Sequence, residues 1–140
     1  MSWVYKNRKV VNIPKDYDHF IYCITNLSTG QWYIGKKIFF NTRRIKLSKK
    51  KKKELNTKKI YEYVIKESDW KEYYGSSIDV KNDILKIGKD KFKREILKYI
   101  KGKKQATAWE LYYIFKKGFP DSLSYNGNIL GRIFKRDYIE

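Results

Sequence analysis

The sequence predicts a single α/β (α+β) domain. The chain has 140 residues, of which 41% are hydrophobic, so it is long enough to bury one core and too short for two large ones. A β-hairpin pattern lies in the first quarter of the chain, and two helical patterns lie in the second half. A mixed fold with a small sheet and flanking helices follows from these three observations.

The hairpin pattern consists of two tyrosine-bearing apolar runs, 20–22 and 33–35, with the turn-forming stretch 26–30 between them. β-Branched and aromatic residues on both arms, with turn formers in the middle, predict two antiparallel strands. If Thr25 opposes Gly30, Tyr22 opposes Tyr33 directly and both hydroxyls leave the same face. We therefore expect two phenols on the floor of a site, although an ordinary packed tyrosine is the alternative for Tyr22 alone.

A strongly basic segment follows the hairpin. Residues 36–59 hold twelve Lys or Arg against one acid, Glu54, and Lys49–Lys53 are consecutive. Five adjacent lysines repel one another unless counterions are present, so we interpret residues 46–59 as a mobile loop or frayed helix. The alternatives are a solvated surface arm and an arm that contacts a polyanion.

Two helices are predicted downstream. Ser77 is a suitable N-cap for a helix that Gly88 ends, and residues 105–117 form a second helix that Gly118 ends. Between them, the apolar residues of 91–100 fit helical spacing better than strand alternation. The remaining segment, 124–134, has the composition of a loop.

The charge of the chain indicates its partner. Thirty-three Lys and Arg against 15 Asp and Glu give a net charge of +18. A compact domain with this charge repels itself, so a polyanion is the expected partner, with nucleic acid ahead of an anionic membrane surface. No apolar run of 18 residues and no clean basic amphipathic helix is present, so we expect no membrane partner.

Cysteine and histidine usage limits the kinds of site. One cysteine, Cys23, excludes an internal disulfide, and one histidine, His19, cannot build a zinc site with it alone. A chain without a disulfide suits a reducing compartment, so we expect a cytoplasmic protein. Any metal would have oxygen ligands, which favours Mg²⁺ or Mn²⁺.

The two tyrosine runs resemble the strands that name the GIY-YIG nuclease family, with Phe20 in place of the first glycine. Residues 70–77 and 88–97 are similar to stretches of small phage-type members, and the resemblance covers about residues 20–130. It implies a small central three-stranded antiparallel sheet flanked by helices, with 91–100 as the third strand against its helical spacing. It also implies an N-terminal extension (1–19), a nuclease domain (20–134) with a basic insertion at about 44–60, and a C-terminal tail (135–140).

The resemblance assigns catalytic roles to five residues. Tyr22 is implied as the general base or water-orienting group, and Tyr33 as the second phenol. Arg43 lies ten residues after Tyr33, where the family has a phosphate-binding arginine at the start of the helix after the hairpin, and a guanidinium can bind phosphate bidentately. Glu110 is the implied metal ligand, and Asn126 is implied to order the site.

Several of these assignments have alternatives. Glu110 is the only acid between Glu95 and Asp121 and lies among aromatic residues, so it is either solvent-facing or functional. The other candidates are Arg44 for Arg43 and Asn128 for Asn126, with further phosphate or DNA contacts from Lys36, Lys37 and the five lysines Lys49, Lys50, Lys51, Lys52 and Lys53.

The family resemblance implies a stand-alone endonuclease of phage or homing type, which would act in the host cytoplasm. The reaction would be one-metal hydrolysis of a DNA phosphodiester with Mg²⁺ or Mn²⁺. Many family members carry His or Tyr where this chain has Leu47, so Tyr61 or Tyr74 would have to replace it. A catalytically silent nucleic-acid-binding module on the same fold is therefore the alternative, and a structural RNA-binding protein is a third. No separate DNA-binding domain fits in the chain, so specificity would come from loops, the basic arm, a homodimer or a protein partner.

Overall fold

The computed structural model describes residues 1–139. It contains a five-stranded mixed sheet, two short two-stranded sheets and three α-helices. In chain order the elements are β1 (Trp3–Tyr5), β2 (Arg8–Lys9), β3 (His19–Asn26), β4 (Trp32–Ile38), β5 (Phe40–Lys46), α1 (Lys49–Glu54), β6 (Tyr61–Glu67), α2 (Ile78–Ile87), β7 (Phe92–Ile100), α3 (Lys103–Lys117), β8 (Asn128–Ile129) and β9 (Ile133–Phe134).

The main sheet has five strands in the order β2-β1-β7-β3-β4, so the predicted three-stranded sheet is wrong in its strand number. The three antiparallel strands β7, β3 and β4 are present, and β1 adds to β7 in parallel. β1 and β2 come from residues 1–19, which we predicted as an extension. Two contacts hold these strands on the sheet. Trp3 packs in the core, where it is 2% exposed, and the Arg94 guanidinium donates hydrogen bonds to the carbonyl of Met1.

Residues 92–100 form a strand, as the family resemblance implies, although their apolar spacing is helical. The reason is a β-bulge. Ile21 pairs with Lys98 while Tyr22 pairs with Ile96, so Leu97 has no partner on β3. The extra residue changes which side chains of β7 point to each face of the sheet, and Ile96 and Leu97 pack on opposite faces.

The predicted hairpin forms from β3 and β4, but its register differs from the prediction. Tyr22 pairs with Gly35 and Tyr33 pairs with Ile24, so the two tyrosines are diagonal neighbours on one face rather than direct opposites. Thr25 pairs with Trp32, two residues beyond the expected Gly30. The backbone N–H of Asn26 donates a hydrogen bond to the Gln31 carbonyl, and Gly30 lies inside the turn with φ +78°.

Two apolar clusters cover the two faces of the main sheet. On one face, α3 packs through Ala106 and Ile114 against Ile21, Cys23 and Ile34. On the other face, Trp70 and Val80 pack against the aromatic residues Trp3, Phe20, Tyr22, Phe39 and Phe92. β4 is the edge strand between these clusters. Its outer edge bonds the backbone of residues 123 and 125 at Trp32, and groups from both faces meet along the rest of that edge, which we name the free edge.

The predicted helices both form. The Ser77 hydroxyl accepts a hydrogen bond from the Val80 amide at the start of α2, and Gly88 ends the helix with φ +93°. α3 starts at Lys103, two residues before the predicted start, and ends at Gly118. These caps follow the rules that predicted them.

Most of the basic segment belongs to a β-hairpin that the sequence did not predict. β5 and β6 pair over seven residues each, and α1 lies in the connection between them. We name residues 40–67 the arm. Arg43, which we expected at the start of a helix, lies in β5, and residues 46–59 contain the helix α1, which agrees with the helical alternative of the prediction.

The C-terminal part contains more regular structure than predicted. β8 and β9 form a small hairpin inside the segment 124–134, and residues 135–138 form a 3₁₀-helix whose Tyr138 packs edge-on against Phe119. Residue 140 of the predicted tail lies outside the described residues. Among residues 1–139, no helix has the length and apolar content needed to cross a bilayer.

Candidate active site

A cavity of about 430 Å³ lies at the free edge of β4. It is lined by Tyr33 and Lys36 of β4, by Glu110 of α3 and by Asn126 of the segment after α3. These four sequence-predicted residues, which span 94 positions of the chain, therefore meet in one place. Ser76 and Ser77, at the start of α2, also line the cavity.

Tyr22 lies beneath this cavity. Its ring centroid is 6.1 Å from that of Tyr33, and the residue is 1% exposed. The phenol crosses directly over Gly35, where any β-carbon would overlap the Tyr22 hydroxyl oxygen. The glycine that ends the second tyrosine run is thus the residue that makes room for the first tyrosine.

Both phenols are neutral at pH 7. Burial raises the pKa of Tyr22 well above its ordinary value, and the neighbouring phenols of Tyr33 and Tyr73 raise that pKa further. Burial also raises the pKa of Tyr33, although a hydrogen bond with Ser76 opposes the shift. Each hydroxyl can therefore donate a hydrogen bond at neutral pH.

Tyr33 is held in place by the loop that precedes α2. Its hydroxyl oxygen lies 3.0 Å from the Ser76 hydroxyl, and the ring packs close to Gly75, which has φ +88°. A side chain at residue 75 would press on the ring and would strain the backbone. The loop therefore fixes the orientation of the more accessible phenol.

Glu110 faces the phenols. Burial raises the pKa of its carboxyl group, and the positive charge of Lys36 opposes that shift. Its negative charge also contributes to the raised pKa of Tyr22 and Tyr33, because like charges would repel. The carboxylate thus lies on the cavity side of α3 rather than on its solvent side.

The two lysines after Gly35 lie on opposite faces of β4. Lys36 donates a hydrogen bond of 2.5 Å to the Thr107 hydroxyl on α3 and lines the cavity. Lys37 forms an ion pair of 2.6 Å with Asp69 and lies over the Tyr73 ring. Lys36 is therefore the lysine that is placed to contact a ligand in the cavity.

Asn126 closes the free edge of β4. Its side-chain oxygen accepts a hydrogen bond from the Ile34 amide at 3.0 Å, and its side-chain nitrogen donates to the Ile34 carbonyl at 2.9 Å. The residue is 6% exposed. By contrast, the exposed Asn128 accepts one bond from the Gly131 amide. Asn126, rather than Asn128, is thus the asparagine that ties the segment after α3 to β4.

The remaining predicted residues do not reach the cavity. Arg43, Arg44 and the five lysines 49–53 all lie on the arm. Leu47 is buried in the arm, and Tyr61 lies in the arm under the Arg44 guanidinium. Tyr74 bonds the Met1 amino group elsewhere on the surface. Thus neither tyrosine lines the cavity.

The residues present fit a divalent ion only if water and substrate supply most of its ligands. Residues 1–139 contain no cluster of three or more His, Cys, Asp or Glu side chains that could hold a metal. Glu110 offers one carboxylate whose charged form is disfavoured by burial, and a bound cation would relieve that cost. Mg²⁺ commonly retains several waters and binds one or two carboxylates together with phosphate oxygens, so the arrangement is compatible with it.

Three contacting residues were not predicted from the sequence. Ser76 bonds Tyr33, Thr107 bonds Lys36, and Tyr73 packs edge-on against Tyr22 with ring centroids 5.8 Å apart. The sequence contains one clue to Ser76. A helix needs only one N-cap, which is Ser77, so the adjacent serine is left able to bond another group. Nothing in the sequence links residue 73 to Tyr22.

Comparison with family models gives one match, described as "Putative endonuclease segE, GIY-YIG domain", over residues 3–129. Comparisons with curated proteins and with solved structures give no match. The matched region includes β1, both tyrosine runs, the arm, Glu110 and Asn126. The match thus covers most of the chain and every element that surrounds the cavity, and the chain belongs to the GIY-YIG domain family of the endonuclease segE type.

Proposed function

We propose that the chain is a metal-dependent DNA endonuclease that hydrolyses phosphodiester bonds at the edge of β4. The observation that carries the proposal is the meeting of Tyr33, Lys36 and Glu110 in one cavity, with Asn126 fixing the strand between them. A phosphate bound there would meet a neutral donor, a cation and a carboxylate. These are the groups that hydrolysis of a phosphodiester requires.

Each residue has a role that its surroundings support. Tyr33 donates a hydrogen bond to a phosphate oxygen, because its phenol keeps its proton at neutral pH. Lys36 offsets the negative charge of the phosphate, taking the part that we first gave to Arg43. Glu110 is the residue that would hold Mg²⁺ or Mn²⁺, which would stabilise developing charge on the phosphate and acidify bound water.

Tyr22 is the proposed general base, and this role depends on its electrostatic surroundings. Burial keeps its phenol protonated, so in this state it orients a water molecule rather than taking a proton. A cation held at Glu110 would favour the phenolate, since a nearby positive charge lowers a phenol pKa. Tyr22 would therefore accept a proton only where its phenolate is stabilised by such a charge, and it otherwise acts as a hydrogen-bond donor.

The experiment is cleavage of supercoiled and linear DNA with and without Mg²⁺. We expect the native chain to cut only with the metal and Glu110→Gln to lose cleavage while DNA affinity stays the same or rises, because a negative charge is removed. Glu72→Gln makes the same charge change at an exposed residue that does not line the cavity and should keep activity. Cleavage by Glu110→Gln at the native rate would refute the proposal.

A catalytically silent DNA-binding module is the second candidate. The positions of Arg43 and Leu47 favour it, because the arm keeps both residues away from the cavity. This candidate predicts DNA binding that persists in EDTA, with no cleavage of any DNA at any Mg²⁺ or Mn²⁺ concentration.

A further inference from the structure

The arm is a ribbon of two strands that stands apart from the main sheet. β5 and β6 pair only with each other, and the arm joins the domain where the Ser68 amide bonds the Phe39 carbonyl. Its seven-residue strands are about 24 Å long at 3.4 Å per residue. The connection containing α1 lies at the outer end.

The two faces of this ribbon differ. Arg44 pairs with Tyr63 and Thr42 pairs with Ile65, so these four side chains share one face. Tyr63 and Ile65 are each 70% exposed. We name this the open face, and it also carries Lys46 and Tyr61.

The opposite face is partly covered by α1. Lys51 of α1 forms an ion pair of 2.6 Å with Glu62, and Leu47 is 6% exposed beneath the helix. Arg43 and Val64 pair on this face. The large apolar exposure of Tyr63 and Ile65 on the open face therefore has no internal explanation, because α1 packs on the other side.

Charge identifies the partner of the arm. Residues 41–66 hold eleven Lys or Arg and two acids, a net charge of +9 that is half of the +18 of the chain, and Arg44 and Lys46 are the cations on the open face itself. Two copies of such an arm repel each other, whereas a polyanion attracts it. A two-stranded ribbon also fits the major groove of B-DNA, which is about 12 Å wide. Resting on the proposed endonuclease function, we propose that the open face of the arm enters the major groove of the duplex substrate and reads base pairs there.

The chemistry of the open face suits this task. The Arg44 guanidinium lies 4.1 Å from the centroid of the Tyr61 ring, which holds it in a defined position. A positioned guanidinium can donate two hydrogen bonds to a guanine edge, and the methyl groups of Thr42 and Ile65 can contact thymine methyls. The α1 lysines, in contrast, have the flexibility and charge of phosphate contacts, which carry no sequence information.

The arm and the cavity can act on one duplex. Tyr33 and Phe39 are six residues apart along β4 and its continuation, so the root of the arm lies within about 20 Å of the cavity. One turn of B-DNA spans about 34 Å. Base reading would therefore occur to one side of the cleaved bond, in the same or the neighbouring turn.

The test uses Glu110→Gln, which cannot cut under the proposed mechanism, and a duplex library with randomised base pairs. We expect this variant to select a motif. Adding Arg44→Ala should lower the preference at one or two base pairs by about fivefold or more. Adding Arg43→Ala, on the opposite face, removes the same charge and should keep the motif. Both additions should lower overall affinity, because each removes one positive charge from the arm.

Several results would overturn the inference. These are selection of no motif, equal loss of the motif with both arginine variants, retention of the motif with Arg44→Ala, and equal competition by single-stranded DNA. A dimer that Tyr63→Lys dissociates without changing DNA binding would instead assign the open face to a second copy of the chain. Matched thermal midpoints for the two arginine variants would show that unfolding does not cause the difference.

The experiments distinguish failure of the arm inference from failure of the proposed endonuclease function. A native chain that selects a motif through Arg44 but never cuts DNA would refute the endonuclease and keep the arm as a reading element. A native chain that cuts DNA with no preference dependent on Arg44 would refute the arm inference alone.

Discussion

Gly35 shows how one residue connects the fold to the site. It pairs with Tyr22 across the hairpin, and the Tyr22 phenol occupies the space that any side chain at residue 35 would need. Its backbone conformation is not the constraint, since Gly35 is not among the residues with positive φ. The requirement for glycine therefore comes from the neighbouring phenol.

Gly35→Ala should displace the Tyr22 ring and abolish cleavage. We expect a loss of about 1–3 kcal/mol in the free energy of unfolding, the usual range for an overpacked core, measured by chemical denaturation. Gly127→Ala is the matched control, because a β-carbon there meets nothing within 4 Å, and its stability should change by less than about 0.5 kcal/mol. Native stability for Gly35→Ala would contradict this view of the packing.

Glu110 should lower the stability of the fold at neutral pH. Its folded-state pKa is raised above the ordinary value of 4.5, so folding favours the protonated form. The protonated Glu110 carboxyl therefore makes its full contribution to the free energy of unfolding below pH 4.5. That contribution is lost as pH rises through the folded-state pKa, where the carboxyl ionises. We expect Glu110→Gln to melt above the native chain at pH 7, with the difference shrinking as pH falls towards 4.

The same two proteins test the metal without any cleavage assay. A ligand that binds only the folded chain stabilises it by about 1.4 kcal/mol at ten times its Kd. Mg²⁺ should therefore raise the melting temperature of the native chain and leave that of Glu110→Gln unchanged. An equal shift in both proteins would place the ion at another site.

At the scale of elements, the free edge of β4 is the feature that assembles the cavity. An edge strand presents unpaired amide and carbonyl groups, and Asn126 satisfies those of Ile34 as a neighbouring strand would. This contact also ties the segment after α3 to the strand that carries Tyr33 and Lys36. Asn126 is therefore a positioning residue that acts through β4.

Asn126→Ala should leave two backbone groups of Ile34 without partners. We expect a loss of about 2–6 kcal/mol in the free energy of unfolding, at about 1–3 kcal/mol for each of the two unsatisfied buried groups. Asn128→Ala, at an exposed residue with one hydrogen bond, should change stability by less than about 0.5 kcal/mol. Amide hydrogen exchange at residue 34 should accelerate in the first variant alone, and equal losses in both variants would refute the assignment.

The elements differ in how far their sequences predict them. α2 and α3 follow from local rules, because their caps are serine and glycine residues at the helix ends. β7 does not, since its bulge at Leu97 depends on pairing with a strand about 70 residues away. The arm was missed because its composition indicated repulsion, whereas cross-strand pairing and the Lys51–Glu62 ion pair order it.

The cavity shows the same division. Tyr33, Glu110 and Asn126 in its lining, and Tyr22 beneath it, follow from motif spacing, because these residues lie on elements whose order along the chain is fixed. Arg43 did not meet them, since the expected helix is a strand that leads away from the sheet. The choice between Lys36 and Lys37 required the structure, because alternate residues of a strand face opposite sides.

For the whole molecule, the decisive property is the division of charge between arm and domain. Residues 41–66 carry half of the net +18, while the cavity lies on the other part of the chain. Affinity for DNA depends mainly on phosphate neutralisation, and each contact contributes about 0.9 to the salt slope. Removing the arm should therefore lower the affinity for DNA without removing the residues proposed to cleave it.

The division can be tested by replacing residues 41–66 with Asn-Gly. Phe40 pairs directly with Glu67, so a two-residue turn can join them without moving β4 or Ser68. The net charge falls from +18 to +9, and we expect weaker DNA binding with a salt slope smaller by several units. The melting temperature should remain close to native, because the deleted residues pack mainly on one another. Slow Mg²⁺-dependent cleavage should persist at low salt, where the remaining charge suffices, and it should disappear with Glu110→Gln. If the shortened chain instead bound DNA as tightly as the native chain at 0.15 M salt, the arm would not be the principal DNA-binding element.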